Sequence, residues 1–328
     1  MDTYLFNVGP LVKKKLSKYP SYDAILSMTD PNDSSHSILT NLLIGDPYTL
    51  ERLVPLVMTN FIPSYSQTEL ERYKDRLKGK RKLSAADQAL RDDYGMEFMI
   101  LKDIFNYEEF IAGNQTLSYW ITETKGANTC TYCNRQYTPT ISKIGKTTKG
   151  KAHFTYITRP ALDHWFSHEM YPLLGLSFYN LIPSCNVCNS GAKGSKLFNL
   201  RDYIHPHLSQ PDNPNFKFRA TGGGGHWILD IDHSVPSNVH NTLDAFHLKE
   251  IYAFHANLEV RDIMDFKGMA SSNYLKDLYE IVLSDVVAMK STRDAYQMLF
   301  GTMKDPKDFL QRPFSKLKYD LLMQLGVI

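Results

Sequence analysis

Through residues 1–125 apolar side chains recur at the three-to-four-residue spacing of amphipathic helices, and the segment reads as mostly helical. Loops are expected at Pro20, Pro31, Pro47 and Pro63, and residues 90–110 carry mixed apolar and charged positions at helical spacing. The pattern changes at residues 152–158, Ala-His-Phe-Thr-Tyr-Ile-Thr, whose β-branched and aromatic content predicts a strand, with Pro160 near its end. A run of four glycines at 222–225 separates Phe216-Lys-Phe-Arg from Trp227-Ile-Leu-Asp-Ile, which predicts a hairpin. Three helices are then expected. The first carries Leu248, Ile251, Tyr252, Leu258 and Ile263, with His255 on the same face as a core residue. The second carries Leu275, Leu278, Val282, Val286 and Met289. The third starts near Pro313 and carries Phe314, Leu317, Leu321 and Leu325.

The chain has 328 residues, 43% hydrophobic and 22% charged, which suits one large or two ordinary globular domains and excludes global disorder. No apolar stretch approaches the length of a membrane span, and the N-terminus lacks the order of a secretory signal. A soluble cytoplasmic protein with no membrane contact is therefore expected. Net charge is only +2, but its distribution is uneven. Residues 130–201 hold nine Lys or Arg and two acids, a net +7, so the remainder of the chain carries −5. A basic segment inside an acidic remainder suits a phosphate backbone as partner.

All four cysteines fall in two CxxC pairs, Cys130/Cys133 and Cys185/Cys188. Two such knuckles supply the four soft ligands of a structural Zn²⁺ site. Disulfides lack the secretory context they need, and a redox CxxC would stand singly beside a βαβ pattern, so zinc is the favoured reading. The long gap between knuckles implies an insertion. Within it Asp163-His164 follows the predicted strand and Asn180 precedes the second knuckle; beyond it Asn189 directly follows Cys188. A histidine can serve as general base near neutral pH, and the oxygens of Asp163 and Asn189 suit a hard cation such as Mg²⁺. Lys193, Lys196, Arg159 and Lys151 could hold phosphates.

The run C-T-Y-C, L-D-H-W-F, then Y-N-L-I-P-S-C-N-V-C-N resembles the HNH (ββα-metal) endonuclease family in its zinc-knuckle form, over residues 126–201. The resemblance implies that His164 is the general base and that Asp163 and Asn189 hold a catalytic Mg²⁺ or Mn²⁺. It implies that Asn180 pins the loop bearing the histidine, and that a hairpin and a helix from the second knuckle carry the set. Two departures, Lys193 four residues after Asn189 and Ser167-His168 in place of a proline, bear on phosphate contacts. The fold expected is α+β, mainly helical, with a central HNH core framed by a four-cysteine zinc site. Its division would be a helical region (1–125), the nuclease core (126–204), and a hairpin with a helical region (205–328). The whole is similar to HNH effectors of bacterial anti-phage systems of the Septu and retron-associated kind. That similarity implies an ATPase partner; the substrate expected of the nuclease is double-stranded DNA, with RNA cleavage by the same site as an alternative.

Plainer readings stand beside these. His164 could be a buried structural histidine and Asn189 a helix cap. His153 and His168 are secondary candidates for phosphate contact. The lysines at 143–151 could be a solvated hairpin tip, and the basic run at 78–82 a solvated face. Gly145-Lys-Thr147 is no P-loop, because position 140 is Thr140. The competing function is a zinc module that binds nucleic acid or protein without catalysis. It would need the cysteines and lysines but not the Asp163, His164 and Asn189 set.

Overall fold

Prolines open helices here more often than they interrupt them. In the computed structural model, which describes residues 1–71, 84–146, 152–208, 216–224, 226–232, 236–266, 277–283 and 291–328, Pro20 is the first residue of α2 (Pro20–Leu26) and Pro47 that of α4 (Pro47–Phe61). The loops expected at these two positions are therefore helix starts. A proline at the first helical position gives up an N–H that no helix would use, and its fixed φ suits the turn. Asp46 completes the start of α4 by accepting from the backbone N–H of Tyr48 and Thr49, at 2.8 and 3.1 Å. Pro31 and Pro63 lie in turns.

The described residues form helices and small two-stranded sheets, and they cluster into two compact units. The first comprises Met1–Thr124, Leu162–Ile182 and Ser195–Leu200. It holds α1 (Asp2–Leu16), α2, a short hairpin of β1 (Thr29–Asp30) and β2 (Asp33–Ser37), α3 (Ile38–Ile44) and α4. After these come α5 (Ala85–Ile104), a π-helical turn Glu108–Ala112, and α6 (Gln115–Lys125). Ser84 and Asp87 form a reciprocal capping box at the start of α5. Tyr4, Val8, Val12, Leu42, Leu50, Leu53 and Leu101 are buried in this unit, as are Trp165, Leu173, Leu174 and Leu176 of the inserted segment. The insertion is therefore core, tied by hydrogen bonds from the Tyr4 hydroxyl to the Leu176 carbonyl and from the Ser177 hydroxyl to the Leu42 carbonyl.

The second unit comprises Lys125–Ala161, Pro183–Gly194 and Arg201–Ile328. It holds the antiparallel hairpin of β3 (Ile141–Lys146) and β4 (Ala152–Thr158) and the hairpin of β7 (Phe218–Gly223) and β8 (His226–Ile231). Between these hairpins in sequence, β5 (Ala161–His164) pairs with β6 (Leu181–Ser184), and these two strands run across the boundaries of the units. Gly222, at φ +133°, is needed in the second hairpin, because a Cβ there would collide with the His226 carbonyl. The helices that follow are α7 (Ser237–Ala245), α8 (Leu248–Ala253), α9 (Arg261–Phe266), α10 (Thr292–Phe300) and α11 (Ser315–Gln324). Gln324 closes the edge of β7, accepting from the Ala220 N–H and donating to its carbonyl, at 3.0 and 2.7 Å.

The helix expected through Ile263 is broken. A π-helical turn, Ala256–Val260, separates α8 from α9. The wider turn adds a residue to the helical repeat, so Val260 is buried while Leu258 is 49% exposed. Of the second expected helix only a π-helical turn, Leu278–Leu283, lies among the described residues. The third begins after Phe314, which caps it in the left-handed region at φ +59°. The basic run at 78–82 lies outside the described residues.

Candidate metal centre and the His164 pocket

The backbone around the first knuckle folds back on itself. An isolated bridge pairs Thr129 with Tyr137, the Cys130 N–H donates to the Gln136 carbonyl at 3.0 Å, and the Asn134 N–H donates to the Cys130 carbonyl at 2.8 Å. Asn134 turns the chain in the left-handed region at φ +47°. Its side chain donates to the Thr129 hydroxyl and to the carbonyls of Phe309 and Arg312, at 2.9, 2.7 and 3.1 Å. The Tyr252 hydroxyl donates to the Cys133 carbonyl. At the second knuckle the Cys188 N–H points at the Cys185 sulfur, 3.5 Å away, and a π-helical turn, Val187–Lys193, follows.

These two turns bring four sulfurs together. The Sγ atoms of Cys130, Cys133, Cys185 and Cys188 all lie within 4.8 Å of one another, and all four residues are buried. Four thiols at Zn–S distances of about 2.3 Å need that kind of convergence, and the donor set is the one zinc takes in closed structural sites. Hydrogen bonds among the four thiols pull the pKa values of Cys185 and Cys133 down and push those of Cys130 and Cys188 up. The cluster could hold a metal ion such as zinc.

In the first unit the last residues of β5 carry the Asp-His pair. Asp163 and His164 are both buried, at 5% and 7% exposure. His164 Nε2 lies 2.9 Å from the Gly175 carbonyl. A carbonyl only accepts, so Nε2 carries the hydrogen and the lone pair of the neutral ring is on Nδ1. Tyr107 packs edge-on against the His164 ring, with centroids 4.5 Å apart, and the His168 ring lies 4.1 Å from it. Gly175 also lets the Phe105 carbonyl come close, since a Cβ there would meet it at 2.8 Å. Asn180, fully buried, accepts from the Phe166 N–H at 2.6 Å and donates to the carbonyls of Phe166 and Leu174 at 3.0 and 3.1 Å. Those bonds join the chain after His164 to the segment bearing the Gly175 carbonyl.

Asn189 and Lys193 belong to the turn after the second knuckle. Asn189 is half-buried and its carbonyl accepts from the Gly194 N–H at 3.0 Å, while Lys193 is 3% exposed. Lys196, in the first unit, and Arg159, in the second, are half-buried, and Arg159 donates to the Pro160 carbonyl at 2.9 Å. Lys151 lies outside the described residues, as does the side chain of His153. Sequence reasoning missed Tyr107 and the Gly175 carbonyl. Tyr107 is remote in sequence and carries no local signal, whereas Gly175 stands alone in an apolar run and marks a close approach.

A further titratable group sits in the second unit. His205, 1% exposed, has its pKa pushed down to about 2, first by burial and then by His207 and Lys125. Its Nδ1 accepts from the His207 N–H at 3.2 Å, and Lys125 Nζ lies 3.0 Å from His207 Nε2.

Comparison of the chain with protein-family models, curated proteins and solved structures returned no match. Among the described residues no helix is long and apolar enough to cross a membrane.

Proposed function

We propose that the chain is a metal-dependent endonuclease of the HNH kind that hydrolyses DNA phosphodiester bonds. The observation that carries the reading is the packing and hydrogen bonding around the buried His164. An Asp-His pair ends β5, the Gly175 carbonyl sets the tautomer, and Asn180 ties the segments together. The chain order β5, β6, then the turn Val187–Lys193 matches the strand-strand-helix order of the resemblance. His164 Nδ1 would accept the proton of a water whose oxygen attacks phosphorus, while the bond from phosphorus to the leaving oxygen breaks. The resemblance implies Asp163 and Asn189 as the oxygen donors for Mg²⁺ or Mn²⁺, and such an ion would supply charge neutralisation on the phosphate. The cysteine cluster has no open chemistry to offer and would serve as a structural Zn²⁺ site.

The test is cleavage of plasmid DNA with Mg²⁺, with Mn²⁺ and with a chelator, for wild type and His164→Ala. The defence role rests on the sequence resemblance, so the assay is run with and without a candidate ATPase partner. Metal-dependent cutting by wild type and not by the variant supports the proposal. Equal cutting by both removes His164 from the chemistry and favours the zinc-module reading.

A further inference from the structure

The hairpin β3–β4 is exposed on both of its faces. In its register Ile144 opposes Phe154 and Ser142 opposes Tyr156, so these four share one face, while Lys143, Thr155 and Ile157 share the other. Ile144 is 68% exposed, Phe154 47% and Ile157 59%, so each face carries large apolar side chains in solvent. An isolated two-stranded ribbon is marginal in water and gains nothing by displaying such residues, so the arrangement marks a contact surface.

Charge identifies the partner. From residue 134 to residue 162 the chain has six Lys or Arg and no Asp or Glu. Lys143 and Lys146 are exposed on the ribbon, and no ion pair to either occurs among the described residues. A partner covering this surface must therefore be anionic and must also offer apolar area. Duplex DNA provides both, and its major groove, about 12 Å wide, admits a two-stranded β-ribbon. We propose that β3–β4 is a DNA-docking arm that lies in the major groove, with Lys143 and Lys146 on phosphates and Ile144 and Phe154 against base-pair edges. The inference takes its substrate from the proposed nuclease function and adds the surface that holds it.

The test is fluorescence anisotropy of a labelled DNA duplex in chelator, so that binding is read without cleavage. The variants are Lys143→Glu/Lys146→Glu and Ile144→Ser/Phe154→Ser. All four side chains are exposed, and unchanged melting confirms that the variants fold. The charge variant should weaken binding and lower the salt slope by roughly 0.9 for each phosphate it no longer neutralises. The apolar variant should weaken binding several-fold with the slope unchanged. Wild-type affinity and slope in both variants would overturn the docking arm. So would variants that bind duplex normally but fail to bind an acidic protein partner. Binding through the arm without any cleavage by wild type would leave the arm standing and remove the nuclease reading. Cleavage by wild type with normal binding in the variants would do the reverse.

Discussion

The cysteine cluster and the surroundings of His164 are both buried, yet they are held in different ways. The four sulfurs converge on one another, so the site's own ligands would supply its cohesion once a metal is bound. His164 has no such convergence. Its Nε2 meets the Gly175 carbonyl, the Tyr107 and His168 rings pack on it, and the three hydrogen bonds of Asn180 tie the neighbouring chain segments. A soft-ligand cluster tolerates removal of a neighbour and not of a ligand. The pocket should tolerate removal of its central ring better than removal of the side chain that ties its walls.

That contrast can be broken most severely at a cysteine. Cys185→Ser should abolish stoichiometric metal binding and remove stabilisation on the order of 10 kcal/mol. Hydrogen exchange should then report collapsed protection around residues 130–134 and 309–316, with protection in α4 retained. Full zinc content in a well-folded Cys185→Ser protein would defeat the contrast at its first term. Next in size is His164→Ala, expected to cost about 10²- to 10⁴-fold in cleavage rate. It should cost only about 1–3 kcal/mol in stability, from the Gly175 carbonyl left without its donor. Measuring the rate and the melting midpoint of one preparation separates the two effects.

Asn180→Ala inverts that ratio. It removes one acceptor and two donors from fully buried partners, so it should lower stability by more than His164→Ala does, with DNA affinity unchanged. Denaturant midpoints for the two variants decide the order. The smallest effect concerns pH. His205 is held neutral in the fold and takes a proton below about 6.5 once unfolded. The unfolded chain then binds more protons, so stability is full above pH 6.5 and falls as pH drops toward the folded value. The fall is at most about 1.4 kcal/mol per pH unit. Urea midpoints at pH 7 and pH 5 should differ in wild type, and His205→Gln should narrow the gap.

The sequence made the cysteine cluster legible because ligand type and spacing are local, and a pair of knuckles constrains the answer twice. The strand at residues 152–158 and the hairpin around Gly222 were legible for the same reason. The surroundings of His164 were not, because Tyr107 and Phe105 reach the pocket only through the packing of the first unit. The prolines misled in the other direction. Pro20 and Pro47 open helices instead of separating them, and at Pro47 the preceding Asp46 caps the start. The interrupted run from Leu248 to Ile263 escaped notice because an apolar spacing that fits a regular helix also fits one with a wider turn.

Asn134 has a consequence for how the chain reaches this state. Its side chain and backbone engage Phe309, Arg312, Phe314 and Lys316, partners 175 to 182 residues further along. Contacts of that sequence separation close a very long loop, and their entropy cost falls before any gain, which slows folding. The N–H of Lys316, in the first turn of α11, donates to the Asn134 side chain, so that helix and the knuckle clasp one another. During synthesis the knuckle emerges long before its C-terminal clasp, and metal capture would proceed with the clasp open. Residues made long after the knuckle are then the ones that lock the first turn of the cysteine cluster, and a nascent chain stalled short of residue 309 should hold a bound metal ion less tightly than the full chain does.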